Sequence, residues 1–256
     1  MSDANPALIL YGFGSVDEPG DPFALLDVGP FAHKLEAWLR LAELPYRKRL
    51  GDIRKAPRGK LPYVELAGQV LGDSQDVIDR LAREGLADLD GWLSTRQRAI
   101  STTLRSMLEE DLYFIMLYMR WVPDSAWNDY APVLRELIAR AGAPKPIAGL
   151  IARFARRGVL GSLHGQGTSR RSPPQLIERA EARLDALVEL AEPNAAWLLG
   201  DRPCTLDAVA HAFIAGMRWP RVPTPLAGLI EARPTLLEWF ARADAVVRAR
   251  GPLPET

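Results

Sequence analysis

Two short motifs carry groups that could hold a small anionic ligand. Leu61 and Pro62 stand directly before an apolar segment, and an X-Pro bond at the start of a strand is a place where a cis peptide is kept. Asp73 and Ser74 open the next helical segment, where free N–H groups and the helix dipole favour a carboxylate. The alternative is an edge-strand proline followed by an ordinary helix cap. The order of the surrounding elements favours the ligand site.

Residues 7–85 mix short apolar segments with amphipathic ones. In chain order they predict a strand over 7–11, a helix from about 30 to 43, a weaker strand over 45–51, two short strands joined at Ala67-Gly68, and a helix over 73–85. Ser74 is expected to accept hydrogen bonds from the first-turn N–H groups of that last helix, and Gly85 to end it.

The pattern changes after about residue 90. From there the chain consists of helical segments separated by Gly and Pro, with no convincing strand among them. The sequence therefore predicts a mixed α/β domain over 1–86, followed by an all-helical domain over 90–256.

Charge and cysteine content limit the function classes. Lys+Arg and Asp+Glu both number 32, so the net charge of zero gives no reason to expect nucleic acid or an anionic membrane as partner. Cys204 is the only cysteine, which excludes an internal disulfide and suits a reducing compartment. No apolar stretch approaches the ~20 residues of a membrane-spanning helix. We expect a cytoplasmic protein without membrane insertion, and no Cys/His spacing suggests a metal site.

Three stretches carry a family resemblance. GPFAHKLEAWLRLAELPY (29–46) and KAPRGKLPYVELAGQVLGDS (55–74) resemble the thioredoxin-fold half of glutathione S-transferases, in particular the branch with metaxins, failed-axon-connections proteins and many bacterial members. WLLGDRPCTLDAVAHAFIA (197–215) resembles that family's buried C-terminal helix with its capping box. The likeness implies a thioredoxin-like domain followed by an all-helical glutathione-transferase domain, and a homodimer.

The resemblance also implies a binding site for glutathione, as a co-substrate rather than a resident cofactor. Leu61 and Pro62 correspond to the loop that contacts its cysteinyl backbone, and Asp73 and Ser74 to the pair that binds its γ-glutamyl end. Lys60 precedes the loop and is the candidate partner of the glycyl carboxylate.

The position expected to carry a nucleophile does not carry one. Relatives have Cys or Ser in a pattern SPFC that reads GPFA here, which places Ala32 at that position and excludes thiol-transferase chemistry there. The positive end of the first helix remains to stabilise a bound thiolate. Tyr11 is the candidate hydroxyl donor, with Ser15 after it; the alternative for Tyr11 is a packing role. His33 is expected at the surface.

The long helix after Trp92 has a mixed stripe beside its apolar one. That stripe consists of Arg105, Glu109, Tyr113, Leu117 and Trp121. In the resembled fold this helix borders the cleft, so the stripe is the candidate wall for a hydrophobic co-substrate; the alternative is a solvated face with two aromatic residues. Cys204 and Asp207 are interpreted as a structural helix cap.

These observations lead to two functional hypotheses, with a binding protein for a different small thiol or acid as a third. The first is a transferase that binds glutathione and conjugates it to a hydrophobic small molecule in the cleft between the domains. The second is a non-catalytic scaffold or interaction module that keeps the fold without the chemistry.

Overall fold

A four-stranded sheet with two helices on it forms the N-terminal part of the chain. The computed structural model describes residues 8–18, 20–191 and 195–254. The sheet order is β2-β1-β3-β4, with β1 parallel to β2 and antiparallel to β3, and β3 antiparallel to β4. The strands are β1 (Ile9–Gly12), β2 (Arg47–Leu50), β3 (Tyr63–Leu66) and β4 (Gln69–Gly72), and the helices are α1 (Pro30–Leu41) between β1 and β2 and α2 (Ser74–Arg83) after β4.

This order agrees with the sequence prediction at each element. The first strand begins at Ile9, and residue 7 of its predicted range lies outside the described residues. Ala67 and Gly68 both have positive φ, the backbone that a two-residue hairpin turn requires. The predicted end at Gly85 also holds, since its φ of +68° lies in the left-handed region that favours glycine just after a helix.

Helices make up the regular structure of the rest of the chain, apart from an isolated bridge between Trp197 and Gly200. The predicted long helix is α3 (Thr95–Ser106), a π-helical segment (Met107–Leu112) and α4 (Tyr113–Trp121). Then follow α5 (Asp124–Arg140), α6 (Lys145–Gln166), a 3₁₀ turn (Thr168–Arg170), α7 (Pro173–Leu190), α8 (Thr205–Arg218), α9 (Pro225–Glu231) and α10 (Pro234–Arg248). The predicted fold class, a small mixed sheet domain followed by helices, is confirmed.

The predicted cap of α8 is confirmed in detail. The Asp207 carboxylate accepts hydrogen bonds from the Cys204 backbone N–H at 2.9 Å and from the Trp239 indole at 3.1 Å. Cys204 is fully buried, and burial raises the pKa of its thiol. It is therefore a structural residue and not a reactive thiol.

Three apolar clusters form the core. One lies among the C-terminal helices and one between the sheet, α1 and α2. The third joins the loop 13–29 to α4, α5 and the segment after α8, through Val16, Leu25 and Val28 on the loop side. The loop after β1 is therefore anchored on the helical part of the chain.

Candidate ligand site at the end of the sheet

Strand register brings the two predicted motifs to one end of the sheet. Tyr11 lies opposite Tyr63, and Tyr63 lies opposite Gly72. Because strands advance residue by residue, Pro62 lies beside the end of β1, and Asp73 follows directly at the end of β4. The Leu61–Pro62 bond is cis and stands immediately before β3, as predicted.

The start of α1 lies at the same end. A Cβ placed on Gly12 would be 3.4 Å from the Cβ of Ala32, so the last residue of β1 faces the first turn of that helix. Gly29 is the N-cap, and no side chain accepts from the first turn. Pro30 has no N–H, so Phe31 and Ala32 carry the first-turn N–H groups that lack an intrahelical partner.

The sequence prediction placed Ala32 at the start of α1, but the N-cap of that helix is Gly29. Ala32 is 1% exposed and packs against Gly12 within the first turn of α1, whereas Gly29 is the half-buried N-cap. A side chain that reached a ligand at this helix end would therefore stand at 29. Since neither position carries a nucleophile, the exclusion of a covalent protein thiol here is unchanged.

The start of α2 corrects one detail of the sequence prediction. Asp73, not Ser74, is the N-cap: its Oδ1 accepts from the backbone N–H of Gln75 at 2.9 Å, and its φ is +73°. Ser74 is the first helical residue and is buried. Arg58 donates to Asp73 and to Asp76 from the loop before β3, so the acid expected to meet a ligand ammonium already has a cationic partner.

A buried lysine connects this helix start to the helical domain. The Lys34 ammonium, whose side chain is 1% exposed, donates to the Gln75 amide oxygen at 2.9 Å and to the Glu109 carboxylate. Burial lowers the pKa of Lys34, and the charge of Glu109 opposes that effect. Glu109 is therefore occupied by an ion pair between α1 and the π-helical segment. Arg105 is half-buried one turn earlier, close enough for its charge to lower the pKa of Lys34 further.

The other members of the predicted co-substrate wall lie in two different places. Tyr113 packs edge-on against Phe31 at 5.1 Å between ring centres, close to the start of α1, and burial raises its pKa. Trp121 is buried against Trp127 and Tyr130 in the cluster that receives the loop 13–29. The solvated-face alternative is therefore wrong for these aromatic residues. The structure does not bring Trp121 together with Arg105 and Glu109.

The remaining predicted site residues lie away from the start of α1. The Tyr11 hydroxyl contacts Glu65 at 3.3 Å and its ring stacks on Tyr63 at 4.5 Å; strand alternation places it on the sheet face opposite Gly12. Ser15 bonds with Asp17, and its carbonyl accepts from Arg140 of α5. Lys60 is exposed in the loop before β3.

His33 contradicts its sequence prediction. It is 1% exposed, its ring centre lies 5.2 Å from that of His211 in α8, and its Nε2 has no hydrogen-bond partner among the described residues. Burial lowers the pKa of His33 well below its usual value. The two histidines lie inside the contact between the sheet domain and the helices, so His33 is not a surface residue.

The chain is similar to known proteins in both sequence and fold. The family model described as the glutathione S-transferase N-terminal domain matches residues 30–127, and the C-terminal domain model of the same family matches 180–243. The chain belongs to the glutathione S-transferase family. A fungal glutathione transferase from Phanerochaete chrysosporium has the same fold over 94% of this chain and 97% of its own, with a TM-score of 0.63 and 15% identity.

Sequence relatives within the family are of two kinds. Isoprene-epoxide glutathione S-transferase of Rhodococcus sp. (strain AD45) is 28% identical over 222 residues, which cover 84% of this chain and 91% of that protein. Failed axon connections of Drosophila melanogaster is 29% identical over 76% of this chain, and metaxin-1 of Sus scrofa 28% identical over 66%. The chain spans only about half the length of these last two, 48% and 54%. This agrees with the branch that the sequence motifs indicated.

A buried ionic network lies beside the start of α1, and sequence reasoning missed it. Lys48 of β2 contacts Glu36 of α1 and Asp27 of the loop. Burial by itself would lower the pKa of Lys48, but the two carboxylates outweigh it and raise the pKa. Asp27 accepts in turn from the backbone of Gly14 and Gly29, so the network fixes the turn that presents the start of α1. The Asp-x-Gly-Pro order before the helix is the local signal that could have indicated it.

Neither a metal-binding cluster nor a membrane-spanning helix is found in the described part of the chain. Among residues 8–18, 20–191 and 195–254, no group of three His, Cys, Asp or Glu side chains is arranged to hold a metal ion. Nor is any helix in those ranges long and apolar enough to cross a membrane.

Proposed function

We propose that the chain binds glutathione at the end of the sheet and transfers it to a hydrophobic electrophile. The observation that carries the proposal is the arrangement of Leu61–Pro62, Ser74 and the uncapped start of α1 at one end of the sheet. The buried Ser74 hydroxyl and the first N–H groups of α2 are suited to the γ-glutamyl carboxylate. The Asp73–Arg58 pair is exposed and therefore weak, so a ligand ammonium can take the place of Arg58.

The nucleophile in this proposal is the thiolate of glutathione itself. The N–H groups of Phe31 and Ala32 and the positive end of α1 lower the pKa of a thiol placed there, without a side-chain donor. With an epoxide as electrophile, the thiolate forms a C–S bond as the C–O bond opens, and the alkoxide takes up the proton that the thiol released. The name of the Rhodococcus relative makes epoxides the first electrophiles to test.

A second candidate function is a glutathione-transferase fold used as a scaffold. The packing between the two parts of the chain favours it, because Lys34–Glu109 and the Phe31–Tyr113 contact occupy the region where a co-substrate would bind. Both functions are compatible with a homodimer, which the family resemblance predicts. Both are also compatible with a cytoplasmic location, which the single cysteine predicts.

Calorimetric titration with glutathione, followed by turnover assays with an aliphatic epoxide and an aromatic halide, separates the two functions. The transferase proposal expects saturable binding and thioether formation, identified by mass spectrometry. Tight glutathione binding with no product from either electrophile favours the scaffold. Absence of glutathione binding by the folded chain contradicts the proposed site itself.

A further inference from the structure

Helix α6 presents an apolar face that none of the described residues covers. Its opposite face is buried through Ala148, Ala152 and Leu163. The outward face carries bulky apolar side chains with high exposure. These are Ile147 at 48%, Leu150 at 54%, Ile151 at 39% and Phe154 at 66%. An exposed apolar patch of this kind on a folded chain commonly marks a contact surface.

The spacing makes one continuous stripe along the helix. Ile147, Leu150, Ile151 and Phe154 follow the i, i+3, i+4, i+7 rule of a single helical face. The stripe continues through the exposed residues Gly158, Gly161 and Gly165, around which a Cβ would meet no neighbouring atom. No charged side chain interrupts the face from 147 to 165, so it is uncharged over its whole length.

The segment that carries the stripe is cationic. Between Glu136 and Glu178 the sequence has no acidic residue, and its Lys and Arg residues there are Arg140, Lys145, Arg153, Arg156, Arg157, Arg170 and Arg171. Arg140 and Arg156 are occupied by Glu136 and Asp124. Arg153 and Arg157 are exposed along one flank of the stripe, and within the described ranges neither forms an ion pair. The zero net charge of the whole chain conceals this local excess of positive charge.

We propose that this face of α6 binds the surface of an anionic phospholipid bilayer, with the helix axis parallel to the membrane. The apolar stripe would enter the boundary between headgroups and acyl chains, while Arg153 and Arg157 extend to the lipid phosphates. A second copy of the chain fits less well. Antiparallel pairing of two such stripes would bring the Arg153–Arg157 flanks of both copies together with no acidic residue between them. The sequence-based expectation of no anionic membrane partner is thereby revised for this one surface.

Vesicle flotation of the full chain tests the proposal, with phosphatidylcholine vesicles that contain or lack phosphatidylglycerol. We expect the chain to float only with the anionic vesicles, and binding to weaken as salt is added. The double substitution Leu150→Ser and Phe154→Ser should reduce the partition coefficient at least about tenfold, since two bulky side chains no longer enter the membrane. Arg153→Gln with Arg157→Gln should also reduce it. The matched control is Val70→Ser, which removes an apolar side chain of 48% exposure from the edge strand β4.

A second measurement locates the contact without removing the apolar residues. Cys204 is buried, so Gly161→Cys can be labelled selectively with an environment-sensitive fluorophore. Gly228→Cys, an exposed glycine of α9 with equally open surroundings, is its control. We expect a blue shift on adding anionic vesicles at position 161 and none at 228.

Three results would overturn the proposal. They are failure of the folded chain to bind anionic vesicles, equal binding by the Leu150/Phe154 variant and the wild type, and self-association in sedimentation experiments that the same variant abolishes. The last result would assign the face to a second copy.

Discussion

Ser74 is the single residue on which the proposed carboxylate site can be tested. It is buried at the first turn of α2, beside the N-cap Asp73 and one residue before Gln75, which Lys34 contacts. Ser74→Ala removes one hydroxyl from a site proposed for a carboxylate and leaves the cap itself intact. We expect the glutathione affinity to fall by about 1–2 kcal/mol, the scale of a lost hydrogen bond to a charged group.

Calorimetry measures this loss directly. Ser106→Ala is the control, since Ser106 is exposed at the end of α3, outside the proposed site. An unchanged affinity in a folded Ser74→Ala variant would remove Ser74 from the binding site and favour the scaffold function.

Tyr11, in contrast to Ser74, is expected to have no direct role at the proposed site. Its hydroxyl donates a hydrogen bond to the Glu65 carboxylate, on the sheet face away from the start of α1. Tyr11→Phe should therefore change the conjugation rate by less than about twofold, since a group that acts only by packing keeps its ring in this variant. Steady-state kinetics at saturating glutathione test this. A tenfold loss of kcat with unchanged glutathione affinity would instead assign the hydroxyl a catalytic role.

Local sequence signals predicted the residues at the sheet end because their geometry is set within a few positions. An X-Pro pair before a strand and an Asp-Ser pair before a helix determine their own backbone conformations. Arg58 and Lys34 could not be found in this way. Arg58 meets Asp73 across 15 residues, and Lys34 meets Glu109 across 75. Their partners are fixed by the tertiary fold, which the sequence pattern did not encode locally.

At the level of elements, α1 is the helix that sequence patterning described least well. The sequence predicts His33 at the surface, yet every residue from 32 to 39 is buried, the charged Lys34 and Glu36 included. The sheet covers one side of the helix and α8 the other, with His33 against His211. The polar side chains remain because partners satisfy them: Glu36 by Arg40 and Lys48, and Lys34 by Glu109.

Lys34→Met tests how strongly α1, α2 and the π-helical segment depend on one another. The substitution leaves the Glu109 carboxylate without its cation in a region of low polarity. The methionine side chain is apolar and similar in length to lysine, so it fits the buried site. We expect a loss of about 3 kcal/mol in the free energy of unfolding, at the lower end for a broken buried pair because Glu109 keeps some exposure. Urea denaturation gives the value.

Two further variants test whether this loss of stability comes from the unpaired charge of Glu109. Adding Glu109→Leu should recover most of the stability, because no uncompensated charge is then buried. Arg80→Met breaks the exposed Arg80–Glu84 pair within α2 and should cost no more than about 1 kcal/mol. A Lys34→Met loss no larger than that of Arg80→Met would mean that the Lys34–Glu109 pair does not hold these elements together.

Long-range packing also explains what the sequence left open about the loop 13–29. Nothing in its own sequence indicates that Asp17 accepts from Trp219 and pairs with Arg221. These contacts, with Arg140 on the Ser15 carbonyl, fix the loop to the helical domain. Loop sequences specify turns and exposure locally, and their docking sites only through the rest of the fold.

At the level of the whole molecule, α1 and α8 join the two parts of the chain around a pair of buried histidines. His211 stacks on Phe240 at 5.2 Å and its Nε2 lies 3.0 Å from Asp244, while its Nδ1 and the Nε2 of His33 have no partner in the part of the chain that the structure describes. Two adjacent imidazoles in this setting resist protonation, since burial disfavours a charged ring and two positive charges would face each other. The contact between the domains should therefore depend on pH.

The direction follows from proton binding. Burial lowers the pKa of His33 well below the 6.5 of an unfolded histidine, and His211, Lys48 and Arg248 lower it further. Burial also lowers the pKa of His211, although Asp244 opposes the effect. Between the folded pKa values and 6.5 the unfolded chain binds protons that the folded chain does not. Stability is therefore complete above about pH 7 and falls as the pH drops through 6.5, by up to about 1.4 kcal/mol per pH unit for each histidine.

His33→Leu isolates this effect, because the Nε2 of His33 has no partner to lose and leucine suits a buried site. We expect the thermal midpoint of the variant to fall less steeply than that of the wild type between about pH 7.5 and 5.5. Titrating carboxylates affect both proteins equally over this range and cancel in the comparison. His164→Gln, at an exposed position of α6, should keep the wild-type slope. Parallel slopes for the His33→Leu variant and the wild type would show that the histidine pair does not couple protonation to the contact between the domains.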